Sequence, residues 1–346
     1  MRYFKYTLAF LQIFILFSAY SVDIKTIKTF DHFIKNGKDN TLYLKEKSIE
    51  KGNAKNRKER VVILLPPLCI PSGEAYDIPS LSFMDELAKK GFDVFSVDFE
   101  GMGKSTYPKV MQIFPAPTGV FPLQSADAVK QLNIIIDYIH AQKKVQDISL
   151  IGWSFGSIVA AEYASLNQSK INKLVLTGAM HSFNLPLFTK PFADKENQFN
   201  NNLSAYQIVP WEAIYSHWKM MMQEKNLVSK YSLLAVEKVY KNLDSGSKIH
   251  GSLRRPMGPM KDLFQIWTNH PVYDITKISQ PTLVINGDQD IFADKELFKK
   301  LTGVKSKKEI VIKNATHWII YEDNRKVYID EIISFLNKKE NYGASY

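Results

Sequence analysis

The chain has 346 residues, 45% of them hydrophobic, which suffices for one large α/β domain or two smaller ones and excludes wholesale disorder. Its single cysteine, Cys69, excludes an intramolecular disulfide bond. The formal charge of +10 comes from lysines spread along the whole length among glutamates, without a recognised nucleic-acid motif, so we expect a solvated surface and no nucleic-acid partner.

The first 21 residues have the composition of an export signal. Arg2 and Lys5 precede an apolar run at residues 6–20, and a small-x-small cleavage pattern follows at 19–21. As a helix this run would span about 22 Å, less than the ~30 Å hydrocarbon core of a bilayer. We therefore expect a signal peptide over residues 1–21 and an exported protein, periplasmic, envelope-associated or secreted; the alternative is an N-terminal membrane anchor. Cleavage of residues 1–21 would leave a net charge near +8. We expect the charged side chains to be solvated; the alternative is that they attract the protein to anionic membrane surfaces.

Six short apolar runs predict buried strands. They are continuous rather than alternating, as expected for parallel strands that are covered on both faces. The runs are 60–66, 92–99, 147–153, 172–178, 281–288 and 308–314. In addition, the stretch 42–65, with a loop at 51–60, predicts an antiparallel edge.

Helical patterns lie between most of these runs. They cover residues 80–91, 125–144, 155–166 and 324–339, and Ser125 is the expected N-cap of the second. This alternation predicts an α/β fold with a mostly parallel central sheet flanked by helices.

Residues 181–270 interrupt the alternation. They contain amphipathic runs, such as 211–226 and 232–243, and are rich in Met, Trp, Tyr and Phe. A structureless loop of this length is implausible inside a domain, so we predict a helical cap at 181–270. The cap would be inserted between two parts of the core, 22–180 and 271–346.

Ser154 lies at the centre of the pentapeptide GWSFG, residues 152–156, between an apolar run and a helical segment. In a strand–turn–helix context, Gly-x-Ser-x-Gly holds the serine on a strained turn with its Oγ beyond the strand end. The glycines are needed where a side chain would collide with neighbouring elements. The alternative is a serine in an ordinary turn. The flanking elements favour a nucleophile.

A serine hydroxyl is a weak nucleophile unless a base accepts its proton. Of the seven histidines, His317 follows the last predicted strand and precedes the last helix, which makes it the candidate base. His181 also follows a strand and is expected to line the pocket. A carboxylate must orient the imidazole, and we choose Asp290, just past the strand at 281–288, with Asp288 as the runner-up.

The chain order Ser154, Asp290, His317 is that of α/β-hydrolases. Over residues 42–336 the chain resembles this fold family, and in particular the capped serine hydrolases of the lipase and esterase kind. The segment DFEGMGKS, residues 98–105, looks like the family's D-x-R-G-x-G-x-S turn, with Glu100 in place of the usual arginine.

The expected oxyanion loop departs from the family pattern. Pro66 and Pro67 stand where His-Gly is common, and proline has no N–H to donate. The resemblance therefore implies that the backbone N–H groups of Leu68 and Phe155 form the oxyanion hole.

The resemblance implies a serine hydrolase that cleaves a carboxylic ester through an acyl-serine intermediate. It calls for no metal and no cofactor, and the sequence has no HExxH motif, Cys-His cluster or phosphate-binding loop. The aromatic, Met-rich cap predicts a small-molecule partner with an apolar acyl or lipid-like group. Two alternatives stay open: an acyltransferase with the same triad, and a non-catalytic binding protein that keeps the fold.

Overall fold

A computed structural model describes residues 26–49, 60–68, 70–145, 148–195 and 197–338. The strands in these ranges are β1 (Ile27–Asn36), β2 (Asn40–Ile49), β3 (Val61–Leu65), β4 (Asp93–Asp98), β5 (Ile148–Trp153), β6 (Lys173–Thr177), β7 (Ala193–Lys195), β8 (Gln198–Phe199), β9 (Tyr206–Pro210), β10 (Ser252–Pro256), β11 (Thr282–Gly287) and β12 (Lys307–Ile312). The helices are α1 (Ser72–Ala75), α2 (Phe83–Lys89), α3 (Ser125–Lys143), α4 (Phe155–Leu166), α5 (Pro186–Thr189), α6 (Trp211–Met222), α7 (Lys230–Tyr240), α8 (Gly258–Trp267), α9 (Leu297–Lys300) and α10 (Arg325–Asn337).

The predicted export signal at residues 1–21 lies outside the described residues and stays a prediction. Within the described ranges, no helix combines the length and the apolar composition that a bilayer crossing requires.

Eight strands form one central sheet in the order β1-β2-β4-β3-β5-β6-β11-β12. From β4 to β12 all neighbours are parallel, whereas β2 runs antiparallel to both β1 and β4. The six predicted apolar runs are β3, β4, β5, β6, β11 and β12. The predicted α/β fold with a mostly parallel sheet is confirmed.

The predicted antiparallel edge is only partly right. The strand that begins at Asn40 does form such an edge, but its neighbours are β1 and β4. It does not pair with β3, which lies on the far side of β4 and runs parallel to it. Strands β2 and β3 are therefore not paired with each other. Residues 50–59, which include most of the predicted loop, lie outside the described residues.

Helices cover both faces of the sheet because the strand side chains are apolar on both sides. On one face α3 and α4 pack with α8 against β3 and β5, in a cluster that includes Leu65, Leu150 and Ile158. On the other face α2 and α10 pack against the same strands. All four predicted helices are present in the structure as α2, α3, α4 and α10.

The start of α3 differs from the prediction. Ser125 is the first helical residue rather than the N-cap, which is Gln124 and makes no side-chain capping bond. Instead, the N–H of Ser125 donates to Asp262 Oδ2 at 2.6 Å, and Gln124 Nε2 donates to Asp262 Oδ1 at 2.9 Å. Burial raises the pKa of Asp262 to about 7. The carboxyl group from α8 thus accepts hydrogen bonds at the N-terminus of α3 and ties the insert to the core.

Residues 181–270 lie between β6 and β11 and contain helices α5–α8. They also contain two antiparallel strand pairs, β7 with β8 and β9 with β10, so the segment is not purely helical as predicted. Strands β9 and β10 were missed because each is short and ends at a proline, and because its partner is distant in the chain. We call residues 181–270 the insert.

Candidate active site

Ser154 is the single residue between β5, which ends at Trp153, and α4, which begins at Phe155. Its backbone has φ 57° and ψ −121°, and its N–H donates to Thr177 O at 2.9 Å. A non-glycine residue in such a conformation costs on the order of 1–3 kcal/mol and persists only where the surroundings enforce it. The local structure is therefore the strained strand-to-helix turn that the pentapeptide predicted.

The two glycines of the pentapeptide are required by close backbone contacts. A Cβ at Gly152 would lie 2.3 Å from the carbonyl oxygen of Gly156. A Cβ at Gly156 would lie 2.4 Å from the carbonyl oxygen of Leu65, at the end of β3. Because neither glycine has a side chain, the first turn of α4 can pack closely against β5, which precedes it, and against the neighbouring strand β3.

His317 and Asp290 form a buried pair beyond the ends of β12 and β11. The imidazole Nδ1 lies 2.9 Å from Asp290 Oδ2, and Asp290 Oδ1 accepts the N–H groups of Phe292 at 2.9 Å and Ala293 at 3.2 Å. Burial by itself raises the pKa of Asp290, but the interactions with His317 and then Lys295 outweigh it and lower that pKa below its usual value. The carboxylate is therefore ionised and fixed toward the imidazole at neutral pH.

Asp288, the runner-up, faces elsewhere. Its Oδ1 accepts the N–H of Ala315 at 3.3 Å, on the loop that precedes His317. The structure thus pairs the imidazole with Asp290, while Asp288 connects the turn after β11 to the loop after β12.

Two residues beside His317 were not singled out from the sequence. Trp153 Nε1 donates to the carbonyl oxygen of His317 at 2.8 Å, which ties the residue before Ser154 to the histidine loop. Gly178, directly after β6, has φ 56°, and a Cβ there would lie 2.5 Å from His317 Cε1 and 2.7 Å from Nδ1. Only glycine leaves room for the imidazole at this position. A glycine after a strand is a common turn signal, so the sequence alone does not reveal this role.

Replacement of Gly178 by alanine should displace the imidazole and lower kcat/KM by about 100-fold for any reaction that uses His317, because a shift of ~1 Å in a reacting group can cost that much. The measurement is steady-state kinetics on purified variants with intact circular dichroism spectra. The matched control is Gly37→Ala, since Gly37 also has a positive φ, 75°, but nothing lies within 4 Å of its Cβ position. An equal loss in both variants would attribute the effect to backbone strain rather than to the imidazole.

The predicted oxyanion donors are the backbone N–H groups of Leu68 and Phe155. Leu68 is buried and lines the same cavity as Ser154, and Phe155 is the first residue of α4. Neither backbone N–H donates to an acceptor among the described residues. Cys69, next to Leu68, lies outside the described residues.

Ser154 and His317 line one cavity of about 110 Å³. Most of its wall is apolar and comes from the residues after β6, the insert and the loop after β11: Met180, Phe188, Phe192, Ile214, Met260, Leu263, Trp267 and Phe292. Two basic side chains of the insert, His217 and Arg255, also reach it. His181 does not line the cavity as predicted; its Nε2 lies 3.2 Å from the carbonyl oxygen of Tyr273.

A second cavity of about 480 Å³ adjoins the first, because Ile214, His217 and Arg255 line both. A larger groove of about 900 Å³ lies along α7 and is lined by Tyr231 and Leu234. None of the candidate catalytic residues lines that groove, so the candidate active site is the smaller cavity that contains Ser154.

The two carboxylates of the segment 98–105 make structural hydrogen bonds. Asp98 is buried and its two oxygens accept the N–H groups of Gly73 and Lys104, each at 3.1 Å. Burial raises the pKa of Asp98 to about 6. Glu100, which stands in place of the family's arginine, accepts a hydrogen bond from Asn36 Nδ2 at 2.8 Å. Neither carboxylate lines the cavity of Ser154.

The chain resembles known proteins over most of its length. Its sequence is 23% identical over 251 residues to the AB hydrolase superfamily protein YisY of Bacillus subtilis (strain 168), with 70% of this chain and 81% of that one covered. Among solved structures, the esterase EaEST from Exiguobacterium antarcticum has a TM-score of 0.55 at 16% identity, covering 88% of this chain and 99% of that one. A mutant of the meta-cleavage product hydrolase CumD has a TM-score of 0.59 at 15% identity, with 87% and 96% covered.

A family model described as alpha/beta hydrolase fold matches residues 62–324. That range includes the serine turn and both members of the buried His–Asp pair, and the structural neighbours show the same fold. The chain therefore belongs to the alpha/beta hydrolase fold family.

Proposed function

We propose that this protein is a serine hydrolase that cleaves carboxylic esters through an acyl-serine intermediate, with Ser154, His317 and Asp290 as its catalytic triad. One observation carries the proposal. Ser154, on its strained turn, and His317, whose Nδ1 is held by a buried carboxylate, line the same cavity. An oriented imidazole and a serine hydroxyl that lines the same cavity are what nucleophilic serine chemistry requires.

In the first half of the reaction, His317 Nε2 accepts the proton of Ser154 as Oγ attacks the ester carbonyl carbon. The carbonyl oxygen becomes an oxyanion, which the N–H groups of Phe155 and Leu68 stabilise. Asp290 stabilises the imidazolium and keeps Nδ1 protonated. The imidazolium then donates its proton to the leaving alkoxide, the C–O ester bond breaks, and an acyl-serine ester is left.

In the second half, a water molecule attacks the acyl carbon while His317 accepts its proton. The tetrahedral intermediate collapses, Ser154 Oγ takes the proton back from the imidazolium, and the carboxylic acid is released. The free enzyme is restored without any other co-reactant.

The size of the cavity bears on the acyl group. At about 110 Å³ it is smaller than the ~150 Å³ cavities that hold a benzene molecule. Its apolar wall suits an apolar acyl group, as expected from the sequence. We propose that a short acyl chain, rather than a lipid-like one, occupies the cavity beside Ser154.

The test is a series of p-nitrophenyl esters from acetate to palmitate, together with labelling by a fluorophosphonate. We expect turnover of acetate and butyrate esters, a loss of activity for long chains, and a single label on the tryptic peptide that contains Ser154. Product analysis in the presence of added alcohols separates hydrolysis from acyl transfer. A folded protein that neither labels nor cleaves any ester would support the binding-protein alternative instead.

A further inference from the structure

Strand β10 of the insert carries two adjacent arginines that point to opposite faces, as consecutive strand residues do. Arg254 is neutralised by Asp244: its Nε and Nη2 each lie 2.8 Å from a carboxylate oxygen, and its Nη1 donates to Met111 O at 2.9 Å. Arg254 is therefore a structural residue. Arg255 faces the other way and lines the cavity of Ser154.

Arg255 has no such carboxylate partner. One terminal nitrogen donates to the side-chain oxygen of Gln207, its cross-strand neighbour on β9. Its Nε is buried and has no acceptor, and in the described ranges no acidic side chain forms an ion pair with the guanidinium. A buried N–H without an acceptor on a permanently charged group is costly, and such groups are normally paired.

Among the described residues, no Asp, Glu or Lys lines the two cavities beside Arg255. Partial burial, and next the Arg255 cation, lower the pKa of His217, so this imidazole is neutral. The other residues that line the two cavities beside Arg255, such as Ile214 and Met260, are mostly apolar. The site therefore presents one uncompensated positive charge, in a fork geometry that matches a planar carboxylate.

We propose that Arg255 binds a carboxylate on the ester substrate, so that the preferred substrates carry one negative charge at some distance from the scissile bond. This inference rests on the proposed function, because it assigns the substrate class of the same site. A carboxylate fits better than a phosphate, since a single guanidinium neutralises one charge and would leave part of a phosphate dianion uncompensated in an apolar cavity. Arg255 is a specificity residue here and takes no part in bond breaking.

The test compares two matched pairs of esters. Monomethyl adipate against methyl hexanoate places the carboxylate on the acyl side, and 4-acetoxybenzoate against 4-acetoxybenzamide places it on the leaving group. We expect the wild type to prefer the charged member of at least one pair. Arg255→Gln should lower kcat/KM for that member by about 10- to 100-fold, mainly through KM, and change the neutral member by less than about 3-fold.

The control is Lys219→Gln, which removes the same charge from an exposed position on α6 and should change neither pair. Arg255→Lys should recover only part of the preference, because it keeps the charge but loses the fork. The inference is wrong if the wild type shows no preference in either pair, or if Arg255→Gln lowers both members equally. Stronger competitive inhibition by phenyl phosphate than by benzoate would also overturn the carboxylate assignment.

A binding measurement separates this inference from the proposed function. Calorimetry of the wild type with benzoate and benzamide needs no turnover, and we expect binding of the anion only, lost in Arg255→Gln. If neutral esters are cleaved but no charged ligand is preferred, the hydrolase proposal stands and the role of Arg255 fails. If no ester is cleaved but the anion binds through Arg255, the carboxylate site stands and the hydrolase proposal fails.

Discussion

Replacement of Ser154 by alanine is expected to lower kcat/KM for ester substrates by about 10⁴-fold or more, and to abolish fluorophosphonate labelling. The reason is chemical: alanine has no Oγ to attack the carbonyl carbon, so only transition-state stabilisation by the oxyanion donors and substrate binding are left. The methyl group of alanine fits the space of the serine side chain. We therefore expect the circular dichroism spectrum and the melting temperature to change little.

The matched control for this variant is Ser149→Ala, which removes a buried serine hydroxyl from the same strand, β5, away from the turn. Activity and labelling should be close to those of the wild type. Labelling that persists in Ser154→Ala would place the nucleophile on another residue, and mass spectrometry of the labelled peptide would identify it.

Asp290→Asn is expected to lower kcat by about 10³- to 10⁴-fold, although it changes few atoms. In the wild type, Oδ1 accepts two backbone N–H groups, from Phe292 and Ala293, while Oδ2 faces His317 Nδ1. An asparagine must keep its oxygen on the two N–H groups, which turns its NH₂ group toward the imidazole. His317 then has to accept at Nδ1 and carry its proton on Nε2, so it cannot take the proton of Ser154.

Asp288→Asn is the control, because it makes the same chemical change two residues away. Its oxygen can still accept the N–H of Ala315, and kcat/KM should change by less than about 3-fold. Steady-state kinetics between pH 6 and 9 would compare both variants. A larger loss in Asp288→Asn than in Asp290→Asn would reverse the assignment of the two carboxylates.

The parallel part of the sheet could be predicted because its strands are apolar runs, and all of them except the edge strand β12 are buried along their whole length. Strand β1 could not, since it is an edge strand whose side chains are largely in water; Phe30 and Phe33 are 49% and 60% exposed. Residues such as these carry no burial pattern that distinguishes a strand from a loop. Likewise, β9 and β10 pair across about forty intervening residues, and the sequence of neither strand indicates which segment it pairs with.

The sequence was sufficient to predict a site residue when that residue lies just beyond the end of a strand. Ser154, His317 and Asp290 all follow strands of a parallel sheet, and such ends meet at one edge. The choice between Asp288 and Asp290 depends on the path of a single turn, which the sequence does not encode in an obvious pattern. Gly178 and Arg255 were missed because their roles arise from contacts with residues distant in the chain.

The reacting groups follow strands of the sheet, whereas much of the cavity wall, together with Arg255, belongs to the insert. On the proposed mechanism, the chemistry and the choice of substrate are therefore encoded in separate stretches of sequence. Substitutions between residues 181 and 270 can retune which ester is accepted while bond cleavage is left intact. Such a division lets selectivity diverge rapidly among descendants of one ancestral enzyme.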